Sequence, residues 1–160
     1  MAVEQDSRIS SCVRKFRSED ADAVTALAAQ APEAANWTKE SYVQFASGSD
    51  SLFLVLEANR VIHGFLVGRL AADQAELLNL AVGPTQRRQG AGTALLARAL
   101  EEWRTQGAKS VYLEVRESNT PAIAFYEKQG FARTGVRKAY YRTPDEAALT
   151  MVKKLTASPA

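Results

Sequence analysis

Apolar and polar positions recur with two different periods along this chain, and the places where the period changes mark its elements. Ser11 to Arg17 reads as a strand, and beyond Ser18 and Asp20, two candidate helix caps, Val24, Leu27, Ala28 and Ala31 recur at helical spacing until Pro32. A second short helix is predicted from Thr38, with Tyr42, Phe45 and Ala46 on one side, before Ser47-Gly48-Ser49-Asp50-Ser51 breaks the pattern. Leu52 to Glu57 and Val61 to Leu70 read as strands joined in a hairpin by Ala58-Asn59-Arg60. A turn at Ala71-Ala72-Asp73 then leads into a third strand, Ala75 to Val82.

The second half changes character. A helix from Gly92 to Gln106 carries Leu96, Ala99, Leu100 and Trp103 on one face, with Gly107 placed to cap it. Val111 to Val115 is a short strand, and strand, helix, strand in this order predicts a right-handed crossover between parallel strands. Thr120 is the expected cap of another helix, with Pro121 at its first position and Gly130 at its end. Two last strands, Ala132 to Tyr140 and Ala147 to Lys154, are joined by Thr143-Pro144-Asp145-Glu146. The pattern predicts one α/β domain over residues 1–160, with a mixed, mostly antiparallel sheet of about seven strands, one parallel crossover and about four flanking helices.

Composition narrows the function classes. The 160 residues are 46% hydrophobic and 24% charged, ordinary for a soluble protein, and a net charge of +2 does not suggest the clustered basic face of a nucleic-acid binder. The apolar runs fall far short of the ~20 residues that cross a membrane. The polar, acidic start of the chain does not resemble a signal peptide, so a cytoplasmic location is expected. The single cysteine, Cys12, can form neither an intrachain disulfide nor a cysteine-cluster metal site, and it reads as a small core residue of the first strand. His63 has no partner histidine or cysteine nearby and reads as structural. No metal is expected.

Three features carry candidate chemistry. Arg87-x-x-Gly90-x-Gly92 follows a strand and opens a helix, where backbone amides and the helix dipole can hold phosphate groups. A flexible helix start is the plainer alternative. Glycine would let a phosphate approach the amides closely. Glu114 stands inside an apolar strand, on the face opposite Val111, Leu113 and Val115 and on the same face as Tyr112. It reads as a half-exposed edge carboxylate, as one half of an ion pair to an arginine, or as a general base whose partial burial raises its pKa towards neutrality. Tyr126, on the last helix, is either a core tyrosine or a proton donor.

Four segments taken together give a more specific reading. Glu76-Leu77-Leu78-Asn79-Leu80-Ala81-Val82, the Arg87 to Gly92 turn, Leu113-Glu114-Val115-Arg116-Glu117-Ser118-Asn119 and Ala122 to Phe131 resemble, in order and spacing, the GNAT acyltransferase superfamily. Within it they are most similar to the RimI-type ribosomal-protein alanine N-acetyltransferases. The resemblance implies transfer of acetyl from acetyl-CoA to the α-amino group of a protein N-terminus, with a ribosomal protein as partner, and a monomer or weak dimer is expected. It implies backbone contacts from Leu80, Ala81 and Val82 to the acetyl and pantetheine. It further implies a pyrophosphate site at Arg87, Arg88, Gln89, Gly90, Ala91, Gly92 and Thr93, and a cofactor contact at Asn119. Glu114 then corresponds to the general base and Tyr126 to the general acid. Trp37 and the pair Tyr140-Tyr141 correspond to the substrate side. The chain departs from the pattern at Arg142, where the family has proline, and at Glu146-Ala147, where it has an acidic pair. Acetylation of a small amine or a lysine side chain, and a non-catalytic acetyl-CoA-binding module, are the alternatives.

Overall fold

The computed structural model describes residues 11–31, 37–84, 90–141 and 146–156, with the side chains of residues 139 and 141 excepted. Strands β1 (Ser11–Lys15), β2 (Ser51–Ala58), β3 (Val61–Ala71), β4 (Gln74–Val82), β5 (Ser110–Arg116), β6 (Ala132–Tyr141) and β7 (Glu146–Lys154) form one sheet in the order β1-β2-β3-β4-β5-β7-β6. Neighbours are antiparallel except β4 and β5, which are parallel and joined by α3 (Ala91–Thr105). The remaining helices are α1 (Ala21–Gln30), α2 (Lys39–Ala46) and α4 (Thr120–Lys128). The predicted mixed sheet, its crossover and its four helices are all present.

Alternation divides the core between the two sheet faces. Leu54, Leu66, Leu77, Val111, Leu113 and Met151 pack with Leu95, Leu96, Ala99 and Trp103 of α3 and with Ile123 and Tyr126 of α4. Phe53, Val55, Phe65, Val67 and Ala81 pack on the other face with Val24, at the α1 side, and Tyr42 of α2. Gly68 shows how tightly the first face is filled: a Cβ there would lie 2.7 Å from Trp103 Cη2. The hairpin between β2 and β3 turns through Asn59 and Arg60, both at positive φ (52° and 64°), the conformation two-residue hairpins favour.

Strand β4 changes face part-way along. Gly68 of β3 opposes Leu77, whereas the preceding Val67 opposes Asn79, so Leu78 is an extra residue. Side chains that would have alternated evenly are reset: Leu77 belongs to the α3 side, Ala81 to the α1 and α2 side, and Leu80 and Val82 pack against the α3 side again. The parallel ladder with β5 also stops here, its last pair being Leu77 and Leu113. Beyond it β4 runs on to Val82 and β5 to Arg116 without pairing with each other, which leaves a gap between adjacent strands.

Three local expectations change. Asp20 occupies the first cap position, yet its carboxylate does not cap α1. It accepts bidentate hydrogen bonds from Arg14 (2.8 and 2.9 Å) and one from the Arg17 amide (2.7 Å), while Arg14 Nε donates to Glu57 at 2.8 Å. A buried charged partner outcompetes the helix end for the same oxygens. Asn119, one residue before the expected Thr120, caps α4, its Oδ1 accepting from the Ala122 amide at 3.2 Å. Cys12 is exposed rather than in the core, because β1 is an edge strand and it is Val13, the next residue, that packs inwards.

Candidate active site

Three elements converge at the mouth of the gap. Gly90 precedes α3 at φ +83°, a left-handed conformation that disfavours any side chain, and among the described residues nothing lies within 4 Å of where its Cβ would be. Its carbonyl accepts the first helical bond from Ala94 at 2.9 Å, so the amides of Ala91, Gly92 and Thr93 have no acceptor within the helix. The first turn of this 15-residue helix carries no acidic residue. An open cradle, three first-turn amides and the positive end of a helix dipole suit a phosphate group. At Gly92 a Cβ would meet Phe125 Cζ (3.5 Å) and Val82 Cγ2 (3.8 Å), so the side of this glycine that lacks a side chain faces the protein. Arg87, Arg88 and Gln89 lie outside the described residues.

Glu114 and Tyr126 stand on opposite faces of the sheet. Tyr126 is buried on the α3 side, edge-on to Phe125 (5.3 Å) and Phe131 (5.6 Å). Glu114 projects from the other face, where no described helix covers β5, β7 and β6, and its side chain is only 11% exposed. The two can act on one molecule only across the gap where β4 and β5 part. Asn119, at the start of α4, follows directly from the turn that leaves β5. That turn is pinned from β7, where Glu146 accepts from the Ser118 amide (2.5 Å) and pairs with Arg116 (3.4 Å).

The surroundings of Glu114 were only half legible in the sequence. Tyr112, two residues back on the same face, donates its hydroxyl to Glu114 Oε1 at 2.5 Å, and Arg137 of β6 donates Nη1 to the same oxygen at 3.0 Å. The Tyr140 hydroxyl also hydrogen-bonds Glu114, and its ring lies 4.5 Å from the Arg137 guanidinium. Burial pushes the Glu114 carboxyl up, but the three hydrogen bonds from Tyr112, Arg137 and Tyr140 outweigh it and hold the group below the usual carboxylate range. The expected rise towards neutrality is therefore overturned: donors arriving from β6 stabilise the charged form. Burial and the bond to Glu114 push Tyr112 up to about 12.

Of the residues expected on the substrate side, Trp37 packs into the aromatic cluster at α2, 5.3 Å from Tyr42 and 5.4 Å from Phe45. Tyr140 reaches the Glu114 cluster. The backbone of Tyr141 pairs with Glu146, while its side chain lies outside the described residues. Sequence reasoning gave no sign of Arg137 beside Glu114, and it noted Glu146 only as a departure from the family pattern. His63 is half-buried in β3. Among the described residues there is no cluster of three or more acidic, histidine or cysteine side chains that could hold a metal, and no helix long and apolar enough to cross a membrane.

This geometry can be set beside known proteins. Residues 20–131 match the acetyltransferase (GNAT) family. The chain belongs to that family. It is 37% identical over 109 residues to the [ribosomal protein bS18]-alanine N-acetyltransferase of Escherichia coli strain K12, covering 68% of this chain and 73% of that protein. The enzyme of the same name from Haemophilus ducreyi is 34% identical over 116 residues, covering 72% and 79%. The crystal structure of the E. coli ribosomal-protein-S18-alanine N-acetyltransferase superposes with a TM-score of 0.84 at 31% identity, covering 94% of this chain and 97% of the other. The protein is thus an acetyl-CoA-dependent N-acetyltransferase, an enzyme rather than a binding module. For this acetyltransferase the open cradle at Gly90 and the parted edge of β4 offer a fitting place for the pyrophosphate and the arm of acetyl-CoA.

Proposed function

We propose that this acetyltransferase modifies the α-amino group of a protein N-terminus, an alanine of the small-subunit ribosomal protein bS18 being the acceptor. The names of the relatives at 34–37% identity support the acceptor. The observation that carries the chemistry is the sheltered, ionised Glu114 beside the gap between β4 and β5.

Acetyl-CoA supplies a thioester carbonyl open to attack by an amine. Leu80, Ala81 and Val82 would line its acetyl end with backbone groups, the amides of Ala91, Gly92 and Thr93 would hold its pyrophosphate, and the Asn119 amide would contact it from the start of α4. A protein N-terminal ammonium has a pKa of about 7.7–8.0, so a carboxylate that receives its proton, directly or through one water, releases a nucleophile at neutral pH. Glu114 is the proton acceptor. Tyr126, buried on the α3 side, would donate a proton to the departing thiolate. Trp37, Tyr140 and Tyr141 would frame the peptide.

The test is incubation with acetyl-CoA and a peptide bearing the alanine-starting sequence of bS18, following CoA release and the peptide's intact mass. A mass gain of one acetyl group at the N-terminus is expected. No turnover of that peptide, together with activity on a small amine or a lysine side chain, rejects the acceptor.

A further inference from the structure

Arg137 reaches the site from two strands away. It stands on edge strand β6 opposite Ala148 of β7, while Glu114 on β5 is opposite Thr150, so its guanidinium crosses the intervening strand to meet the carboxylate at 3.0 Å. β7 places only the small side chains Ala148 and Thr150 at these registers, which leaves the path open. The two partners differ in freedom: Glu114 is sheltered, whereas the Arg137 side chain is 60% exposed and rests on the Tyr140 ring. Between Arg137 and Tyr141, β6 advances four residues while β7 advances two, so the stretch that carries Tyr140 bulges out of the ladder.

A cation donating to one carboxylate oxygen at 3 Å is the contact that a substrate ammonium makes when it hands its proton directly to Glu114. Two cations cannot share that seat without repulsion. They also differ in chemistry, since a guanidinium does not give up its proton in a protein and an N-terminal ammonium does. We infer that Arg137 is a positioning residue, an exchangeable counter-ion that seats on Glu114 in the empty site and is displaced by the acceptor's ammonium. This rests on Glu114 being the proton acceptor.

The groups that bear on Glu114 are Tyr112 on its own strand, Arg137 and Tyr140 from β6, and Glu76 of β4, which acts on both tyrosines and is paired with Arg69. β7 contributes Thr150, which does not titrate. Among the described residues, Arg137 brings the positive charge that touches Glu114. Removing it raises the carboxyl pKa, so the fraction ionised at mildly acidic pH falls.

The experiment measures kcat and KM for the alanine-starting peptide between about pH 4.5 and 8.5 in the parent, Arg137→Gln and Arg137→Lys, with thermal unfolding as a control. For Arg137→Gln the acid limb of kcat/KM is expected to move up by about half to one pH unit. The peptide KM at neutral pH should fall about two- to fivefold, the scale of a half-exposed ion pair, with the KM for acetyl-CoA unchanged. Arg137→Lys should keep the parental limb. An unmoved limb or a raised peptide KM in Arg137→Gln overturns the inference, as does a variant that loses its fold, because an exchangeable counter-ion is not a structural element. If the parent fails to turn over the peptide, the acceptor reading has failed. If Glu114→Gln equals the parent, the base reading has failed. Disagreement confined to the Arg137 series sinks the exchange alone.

Discussion

Leu77 and Leu113 form the last pair of the parallel ladder between β4 and β5, and Leu78, the next residue, is the extra residue of the bulge against β3. The two facts belong together. A bulge bends its strand and adds twist, so the place where β4 is reset against β3 is also where it parts from β5. In the proposed reaction, that parting is what would let a group on the α3 side, Tyr126, and one on the open side, Glu114, serve the same molecule.

Replacing Glu114 by Gln keeps the shape and removes the proton acceptor. At pH 7 kcat should fall by about 10²- to 10⁴-fold, the usual contribution of a general base, with the KM for acetyl-CoA close to that of the parent. Steady-state kinetics with an N-terminal peptide reads this directly, and an undiminished kcat removes the assignment.

Gly90 and Gly92 separate conformation from space. Gly90→Ala places a side chain at φ +83°, at a stability loss of about 1 kcal/mol, and should raise the KM for acetyl-CoA by disturbing the first-turn amides. Gly92→Ala meets only ordinary contacts at 3.5–3.8 Å and gains helix propensity, so the fold should be as stable or slightly more so. Equal KM effects from the two would contradict the view that Gly90 shapes the cradle.

Gly68→Ala tests the packing beneath the bulge. Its Cβ would press on Trp103 Cη2 (2.7 Å) and on the Glu76 carbonyl (2.8 Å), backbone that cannot easily yield. A destabilisation of about 1–3 kcal/mol or more is expected from such overpacking, visible as a lower urea midpoint with an unchanged slope.

Asp20 gives the molecule an acid-sensitive joint between β1 and the start of α1. The Arg14 hydrogen bonds hold its carboxyl below the usual range, against the opposing effect of burial. A group that is more acidic in the folded state stabilises fully above its unfolded value of about 3.9 and loses that stabilisation as the pH falls through the lower folded value. Asp20→Asn should therefore cost about 1–3 kcal/mol at pH 7 and make stability less dependent on pH in the acid range. Urea titrations from pH 3 to 7 would show parallel curves for parent and variant if the pair were unimportant.

The sequence by itself determined most of the scaffold. Period-two runs separated by Asn59-Arg60 and Ala72-Asp73, and the helical recurrence of Leu96, Ala99, Leu100 and Trp103, are local signals, because side-chain direction within one element follows from its own geometry. Glu114 was visible for the same reason, as an acid on the face opposite its apolar neighbours. The behaviour of that acid was not. Arg137 lies 23 positions from it in sequence, and only the order β5-β7-β6, with β7 inserted between strands that precede it in the chain, brings the two to 3.0 Å. The bulge at Leu78 was hidden too, since Leu77-Leu78-Asn79-Leu80 reads as unbroken strand and the slip exists only relative to β3. Local periodicity states where a side chain points. Its pKa and its partners depend on charges carried by other strands, and the gap between β4 and β5 depends on register, which is a property of pairs of strands.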